Sequence, residues 1–333
     1  MIKLSIIVPV YNVDQFVERC VLSITNQDIP ENEYEIILIN DGSTDNSLEV
    51  ITRLSKNYSN IIIHDQKNTG LGGARNKGLE LAKGTYVWFI DSDDFITPNS
   101  LKELLSSTFD NNLDCLSFSF NCTDEAGQVI DWIHFKPDFN GKSVITGSEF
   151  YSNNYHDSYL CFYFFKRSIF LDHKIYFEQK INMQDSEIMP RIMNHVNRIM
   201  HLDKIIYSYV KRETSFINNN NSTVREKYYY SIIAVNDLLT NFKSSLQNND
   251  ALKLGLEKKL VSINKILFLQ FLYNDFDTDT LNQIIKKLKQ SKLYPFKSIA
   301  EQSKSKKIIY NTLRPFINKY PITSRNIYLK LRK

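Results

Sequence analysis

The chain has 333 residues, 42% apolar and 13% aromatic, with a net charge of +4. That allows one large domain or two ordinary ones with a real core, and no long stretch has a disordered composition. No apolar run approaches the roughly 20 residues that span a bilayer; the best candidate, 266–273, is short and interrupted by Gln270. The N-terminus enters a strand with no basic segment or apolar leader, so a cytoplasmic protein is expected. Cys20, Cys115, Cys122 and Cys161 are scattered, with neither a CxxC pair nor a zinc spacing, and should be buried, reduced thiols.

From residue 1 to about 120, apolar strands alternate with amphipathic helices, the pattern of an α/β fold with a parallel sheet. Residues 4–10 form the first strand, and Phe16, Val17, Cys20, Val21 and Ile24 then recur at helical spacing. Residues 34–39 form the second strand, followed by a helix with Leu48, Ile51 and Leu54 on one face and Ser43 or Thr44 as its cap. The third strand is 61–64, and a polar loop leads to a helix from about Gly73 to Ala82. The fourth strand is 86–90. A helix from Leu101, a strand near 115–120 and a short edge strand at 175–177 follow. The spacing predicts a helix over 183–200 and a strand over 205–210. Beyond about Arg225 the period is helical throughout, so a domain boundary is placed in the polar run 218–221. The parts are then 1–217, divided into halves 1–100 and 101–217, and a helical region 222–333.

Every early strand delivers polar residues at its carboxyl end, where open α/β sheets bind ligands. The first ends in Pro9-Val10-Tyr11-Asn12, the second in Asn40-Asp41-Gly42-Ser43, the third in Gln66-Lys67-Asn68-Thr69-Gly70. The fourth ends in Asp91-Ser92-Asp93-Asp94, three carboxylates in four positions. Crowded like that they repel one another and ask for a cation. Asp91 and Asp93 leave on one face if the chain stays extended. Hard oxygen ligands suit Mg²⁺ or Mn²⁺ shared with a substrate's phosphates. An ordinary acidic surface turn is the competing reading. Gly70-Leu71-Gly72-Gly73-Ala74-Arg75 follows the third strand, not the first, so it fits a dinucleotide fingerprint poorly. Its helix start could still favour an anion, with Lys67 and Arg75 reaching a diphosphate or the acidic loops; a glycine turn with solvated charges is the alternative.

Four motifs in this order, Ser5-Ile6-Ile7-Val8-Pro9-Val10-Tyr11-Asn12, Asn40 to Asp45, Asn68 to Asn76 and Asp91 to Asp94, resemble the opening of glycosyltransferase family 2. The resemblance covers about residues 3–100 and extends weakly to about Ser215. It implies an inverting, nucleotide-sugar-dependent enzyme of the GT-A fold, a mostly parallel, Rossmann-like sheet flanked by helices. By the same resemblance Pro9, Tyr11 and Asn12 border the nucleoside and Asp41 hydrogen-bonds the base. Asp91, with Ser92 beside it, sits near the ribose or sugar, and Asp93 coordinates the metal that bridges the diphosphate. Chemistry agrees: a base needs a ledge and a directional polar contact, and a divalent ion stabilises a departing diphosphate. Tyr11 could equally be a packing residue at a strand end.

An inverting transfer needs a base opposite the leaving group, and family members often carry a Glu-Asp pair at a helix start. Gln184-Asp185 falls at that place, so Asp185 matches the base, with Glu187 as a substitute, although Gln184 departs from the usual Glu. An Asp near a helix start is also an ordinary cap. Tyr207 to Ser215 resembles the family's aromatic strand followed by Arg and Ser, so Arg212 could fold over the diphosphate, or simply lie in a solvated loop.

From Gln283 to Lys333 there are 14 Lys and Arg against the single Glu301, so +13, while the remaining 282 residues hold 27 basic and 36 acidic, so −9. The basic end could be a solvated helical surface, or it could rest on anionic lipid at the inner face of the cell membrane. No motif supports nucleic acid. The sequence therefore points to a glycosyltransferase, moving a sugar from a nucleotide donor, most simply a UDP-sugar, to a saccharide or lipid-linked saccharide acceptor of surface polysaccharide. The rivals are a non-catalytic binding or scaffold protein on the same fold, and a sugar-phosphate nucleotidylyltransferase, whose glycine- and arginine-rich loop after the first strand is missing.

Overall fold

A computed structural model describes residues 1–133, 137–139, 143–154, 158–212, 221–297 and 304–332. The chain divides into two compact units, Met1–Lys180 with Gln184–Ser215, and Ile181–Met183 with Phe216–Lys333. Of the polar run 218–221, only Asn221 lies among the described residues.

In the first unit the order is β1 (Leu4–Val10), α1 (Val17–Thr25), β2 (Tyr34–Asn40), α2 (Ser47–Ser55), β3 (Ile61–Asp65), α3 (Leu71–Leu81) and β4 (Tyr86–Phe89). Then come β5 (Phe95–Ile96), α4 (Leu101–Asp110), β6 (Cys115–Thr123), β7 (Val129–Ile130), α5 (Gly147–Asn154) and β8 (Tyr163–Lys166). It closes with α6 (Arg167–Asp172), α7 (Gln184–Met193) and β9 (Ile199–Val210). One sheet runs β3-β2-β1-β4-β8-β6-β9-β5, with β7 against β6. The first four strands are mutually parallel. Beyond β4 the sheet is mixed: β8 is antiparallel to β4 and β6, β9 parallel to β6, and β5 antiparallel to β9.

Every residue of β1, β2 and β4 is buried, as unbroken β-branched and aromatic runs require of central strands. Pro9 in β1 looks out of place, because proline cannot donate to a ladder. Ile7, two residues earlier, turns its carbonyl toward β4 and accepts from Ile90 N at 3.0 Å. Pro9 faces the same way, but β4 has ended by then, so no hydrogen bond is lost. All four cysteines are free and buried.

Three local expectations are corrected. The helix after β2 begins at Ser47 behind Asn46, and the Asp45 carboxylate, not Ser43 or Thr44, accepts from Ser47 N at 3.0 Å. Residues 175–177 form no strand; Phe177 N donates to Asn76 Oδ1 at 2.8 Å and Asn76 Nδ2 donates to the Phe177 carbonyl at 2.9 Å. A side-chain amide thus supplies the pairing a neighbouring strand would have given. The apolar spacing over 183–200 holds two elements, because Ile199 leaves the helical path to pair with Cys115 and Ile145. Tertiary pairing overrides a helical period there.

The second unit is helical: α8 (Ser222–Ser245), α9 (Asp250–Tyr273), α10 (Thr278–Gln290), α11 (Lys304–Lys319) and α12 (Pro321–Arg332). Asn221, Asn249 and Asp277 cap the first three of these by accepting from backbone N–H groups of the first turn. Ile232, Ile233, Leu256, Ile263, Leu267, Phe268 and Leu288 fill its core, and the buried Tyr229 hydroxyl donates to the Leu267 carbonyl at 3.0 Å. Among the described residues no helix is long and apolar enough to cross a membrane.

Candidate active site

Because β3, β2, β1 and β4 are parallel, the loops leaving their carboxyl ends share one edge of the sheet. The first two loops are laced together. Asn12, with φ at 51°, accepts from Thr44 N at 2.8 Å through Oδ1, and its own N–H donates to Ser43 Oγ at 3.2 Å. Asparagine tolerates that left-handed conformation better than most residues. Tyr11 beside it is 50% exposed. Pro9 is buried in the strand below.

Asp41 has a more specific place. Its Oδ1 accepts from Thr69 N at 2.8 Å, Gln66 Nε2 at 2.8 Å and Thr69 Oγ1 at 3.1 Å, and its Oδ2 accepts from Gly70 N at 2.8 Å. The side chain is buried, so this carboxylate clamps the loop after β3 onto the end of β2. Little acceptor capacity is left for a nucleobase. Gly42 follows with φ at 72°, and a Cβ there would stand 2.9 Å from Asn68 N, so glycine is needed for the two loops to touch. Asp41→Asn would set an amide N–H against Gly70 or Thr69 N–H. We expect it to cost about 1–3 kcal/mol in urea unfolding.

The glycine-rich start of α3 serves packing. Gly72 and Gly73 are buried, and a Cβ on Gly72 would fall 2.4 Å from the Glu178 carbonyl oxygen. The Gly70 N–H at the N-cap of α3 is taken by Asp41. Close packing at the first turn places Arg75, 1% exposed, beneath the acidic residues. Its Nη1 donates to Asp185 Oδ1 at 2.6 Å and its Nη2 to Asp91 Oδ1 at 3.0 Å, with the Phe177 ring 5.4 Å from its guanidinium carbon. Of the two expected partners, Arg75 therefore serves the acidic loops and not a diphosphate. Lys67 is exposed and makes no ion pair among the described residues.

Asp91 and Asp185 lie 94 positions apart in sequence, yet they share one guanidinium. Burial raises the Asp91 carboxyl, Arg75 pulls it down and Asp185 and Asp93 push it up again, so that it is pushed up to about 6. Asp185 sits in the first turn of α7, and its second oxygen accepts from Leu160 N at 3.2 Å. Glu187 turns elsewhere: it is buried and paired with Arg191 at 2.6 Å, so it cannot stand in for Asp185.

After β4 the chain does not stay extended. Asp94 N donates to the Asp91 carbonyl at 3.0 Å, and the resulting turn sends the three carboxylates to different partners. Asp93 pairs with Arg212 at 2.6 Å, and the Arg212 guanidinium lies over the Phe16 ring at 5.2 Å. Ser92 is buried. Asp94 is 1% exposed; it accepts from the Tyr207 hydroxyl at 2.6 Å and Val210 N at 2.7 Å. Burial and the neighbouring Asp93 and Asp91 hold its carboxyl well above the usual range. Asp94 is thus structural, and only Asp91 and Asp93 remain for a cation.

Tyr207, expected only as part of an aromatic strand, also accepts through its oxygen from Asp91 N at 3.2 Å and so ties β9 to both ends of the acidic turn. Nothing local could reveal a pair 113 positions apart. Tyr207→Phe strands a buried carboxyl and should cost about 1–3 kcal/mol, read by thermal and urea unfolding.

Residues 5–173, just over half the chain, match the model of glycosyl transferase family 2. An uncharacterized glycosyltransferase of Bacillus subtilis, EpsJ, is 30% identical over 218 residues, covering 63% of this chain and 62% of EpsJ. The chain thus spans about three-fifths of that relative's length. Among solved structures, residues 1–349 of Staphylococcus aureus TarS in complex with UDP-GlcNAc superpose with a TM-score of 0.70 at 20% identity, covering 98% of this chain and 89% of that one. A mannosyltransferase of Pyrobaculum calidifontis, in complex with GDP-Man and Mn²⁺, gives a TM-score of 0.55 at 16% identity, covering 98% and 84%. The fold shared with these structures is GT-A, as the sequence motifs led one to expect.

Proposed function

Since the chain belongs to glycosyltransferase family 2, we propose that it moves one sugar from a nucleotide donor, a UDP-sugar, to a hydroxyl of a saccharide or lipid-linked saccharide acceptor in surface polysaccharide synthesis. The observation that carries this reading is the shared guanidinium: Arg75 holds Asp185, from the second half of the unit, against Asp91 at the strand ends. A donor gripped at the strand ends would then have a carboxylate beside its anomeric carbon.

In this mechanism Tyr11 supplies a ledge for the nucleoside, and Asn12 fixes the loop that presents it. Asp41 acts through the loop it clamps. Asp185 takes the proton from the attacking hydroxyl as its oxygen bonds to the anomeric carbon and the bond to the diphosphate breaks on the opposite face, inverting the centre. Leu160 N and Arg75 keep that carboxylate oriented. Arg212 can turn from Asp93 to the leaving diphosphate.

Among the described residues no three His, Cys, Asp or Glu side chains gather as a ligand set. The pair left over nevertheless fits a cation shared with phosphates, because such sites use one or two carboxylates and take the remaining oxygens from the substrate. Asp93 and Asp91 would hold Mn²⁺ or Mg²⁺, which supplies charge to offset that building on the diphosphate. TarS is named a poly(ribitol-phosphate) β-N-acetylglucosaminyltransferase and was solved with UDP-GlcNAc, which supports a UDP-sugar here.

The test is a screen of nucleotide sugars with Mn²⁺, following release of nucleoside diphosphate with and without saccharide acceptors. One donor consumed by wild type and spared by Asp185→Asn is the expected result. Tight UDP binding with no turnover of any donor would leave a binding protein instead.

A further inference from the structure

The last two helices carry a face that the transfer chemistry does not use. Between Gln302 and Lys333 the chain has nine Lys and Arg and no Asp or Glu. Along α11 and α12, exposed residues recur every three or four positions: Phe316, Lys319, Tyr320, Thr323, Ile327 and Lys330. At helical periodicity Phe316, Lys319 and Tyr320 share one face at the end of α11, and Thr323, Ile327 and Lys330 share one face of α12. The chain bends between them, where Ser324 Oγ donates to the Phe316 carbonyl eight residues back at 3.2 Å, and these two exposed faces together make the stripe. Phe316 is 60% exposed, Tyr320 54% and Ile327 55%.

The opposite side is anchored. Ile317 and Arg325 are buried, and Arg325 Nε donates to the Phe271 carbonyl at 2.9 Å. Tyr294 donates its hydroxyl to the Asn318 carbonyl at 2.6 Å. The Asn318 side chain accepts from Phe296 N at 2.8 Å and donates to the Phe296 carbonyl at 2.9 Å. Turning the stripe inward would break all of these, so its exposure is a settled feature of the unit.

Single apolar side chains on a surface need no explanation, but three on the exposed faces of two consecutive helices, interleaved with lysines, do. We propose that this stripe rests on an anionic lipid surface, with Phe316, Tyr320 and Ile327 entering the boundary between headgroups and acyl chains. Lys319 and Lys330 then meet the headgroup phosphates, their stems lying along the apolar layer. The complete lack of acidic residues in this stretch matches the negative potential of such a surface. Such seating fixes where the protein works and stands apart from the transfer reaction, which soluble donors report.

The experiment is co-sedimentation of the full chain with phosphatidylcholine vesicles, with and without about one-third phosphatidylglycerol. At low salt it should pellet with the anionic vesicles only, and high salt should release it. Phe316→Ser/Ile327→Ser and, separately, Lys319→Glu/Lys330→Glu should each lower partitioning at least about tenfold, with helical circular dichroism retained. If the first pair unfolds, the lysine pair decides alone, since both residues lie on the surface. Equal binding to neutral vesicles, no binding to anionic ones, or charge reversal without effect would each overturn the proposal. So would a wild-type dimer in light scattering that Phe316→Ser dissociates, because a second copy would then own the face. Donor hydrolysis in the lysine variant should match wild type, separating a failure here from a failure of the transfer reading.

Discussion

Arg75→Met should destabilise the first unit by about 3 kcal/mol and silence turnover. The guanidinium is 2% exposed and neutralises two carboxylates at once, at 2.6 and 3.0 Å. Methionine fills most of the volume but leaves Asp91 and Asp185 facing each other without a counter-charge. Breaking a buried ion pair from one side costs about 3–5 kcal/mol, and the partial exposure of both acids puts this case at the lower end. Arg75→Lys should not rescue it, because a point charge cannot reach both acids as a planar fork can. Urea unfolding gives the first number. Wild-type stability in both variants would show that Arg75 is not the joint between the two halves of the site.

Asp185→Asn should lower kcat by about 10²–10⁴-fold while leaving donor affinity within a factor of a few. Asparagine keeps one oxygen to accept from Arg75 but sets its amide NH2 against Leu160 N, so one of the two contacts is lost while the size and shape of the side chain are kept. What disappears is a group able to take a proton. The clean reading is a split between kcat and KM for donor, together with an unchanged UDP titration. If kcat barely moves, the base lies elsewhere. Glu187 is a poor substitute because Arg191 already holds it.

The half of the unit built by local rules was legible in advance. Strands β1 to β4 declare themselves by unbroken apolar runs, and each polar cluster follows at a strand's carboxyl end. Parallel pairing then carries all four clusters to one edge, so their convergence could be argued before any coordinates. What each side chain does once there was far less readable. Asp41 and Asp94 look like ligand-facing acids in sequence, yet one clamps a loop and the other is sealed under Tyr207. Arg75 looks like a phosphate contact, yet it is buried between acids. Each of these outcomes depends on partners tens of residues away, which no local pattern encodes. The second half suffered from the same cause: the helical period over 183–200 is real, and a strand partner at Cys115 cuts it short.

The ion pairing at the acidic turn has a thermodynamic consequence. With Asp94 turned away to Tyr207 and Val210, the carboxyl groups of Asp91, Asp93 and Asp185 face two guanidinium groups, Arg75 and Arg212, three acids against two bases. A bare nucleoside diphosphate approaching this edge is repelled, and a bare divalent ion must first compete with a guanidinium for Asp93. Arriving together, they bring charges that nearly cancel and free Arg212 for the phosphates. Cation and nucleotide should therefore bind with positive cooperativity, each tightening the other by one and the same factor.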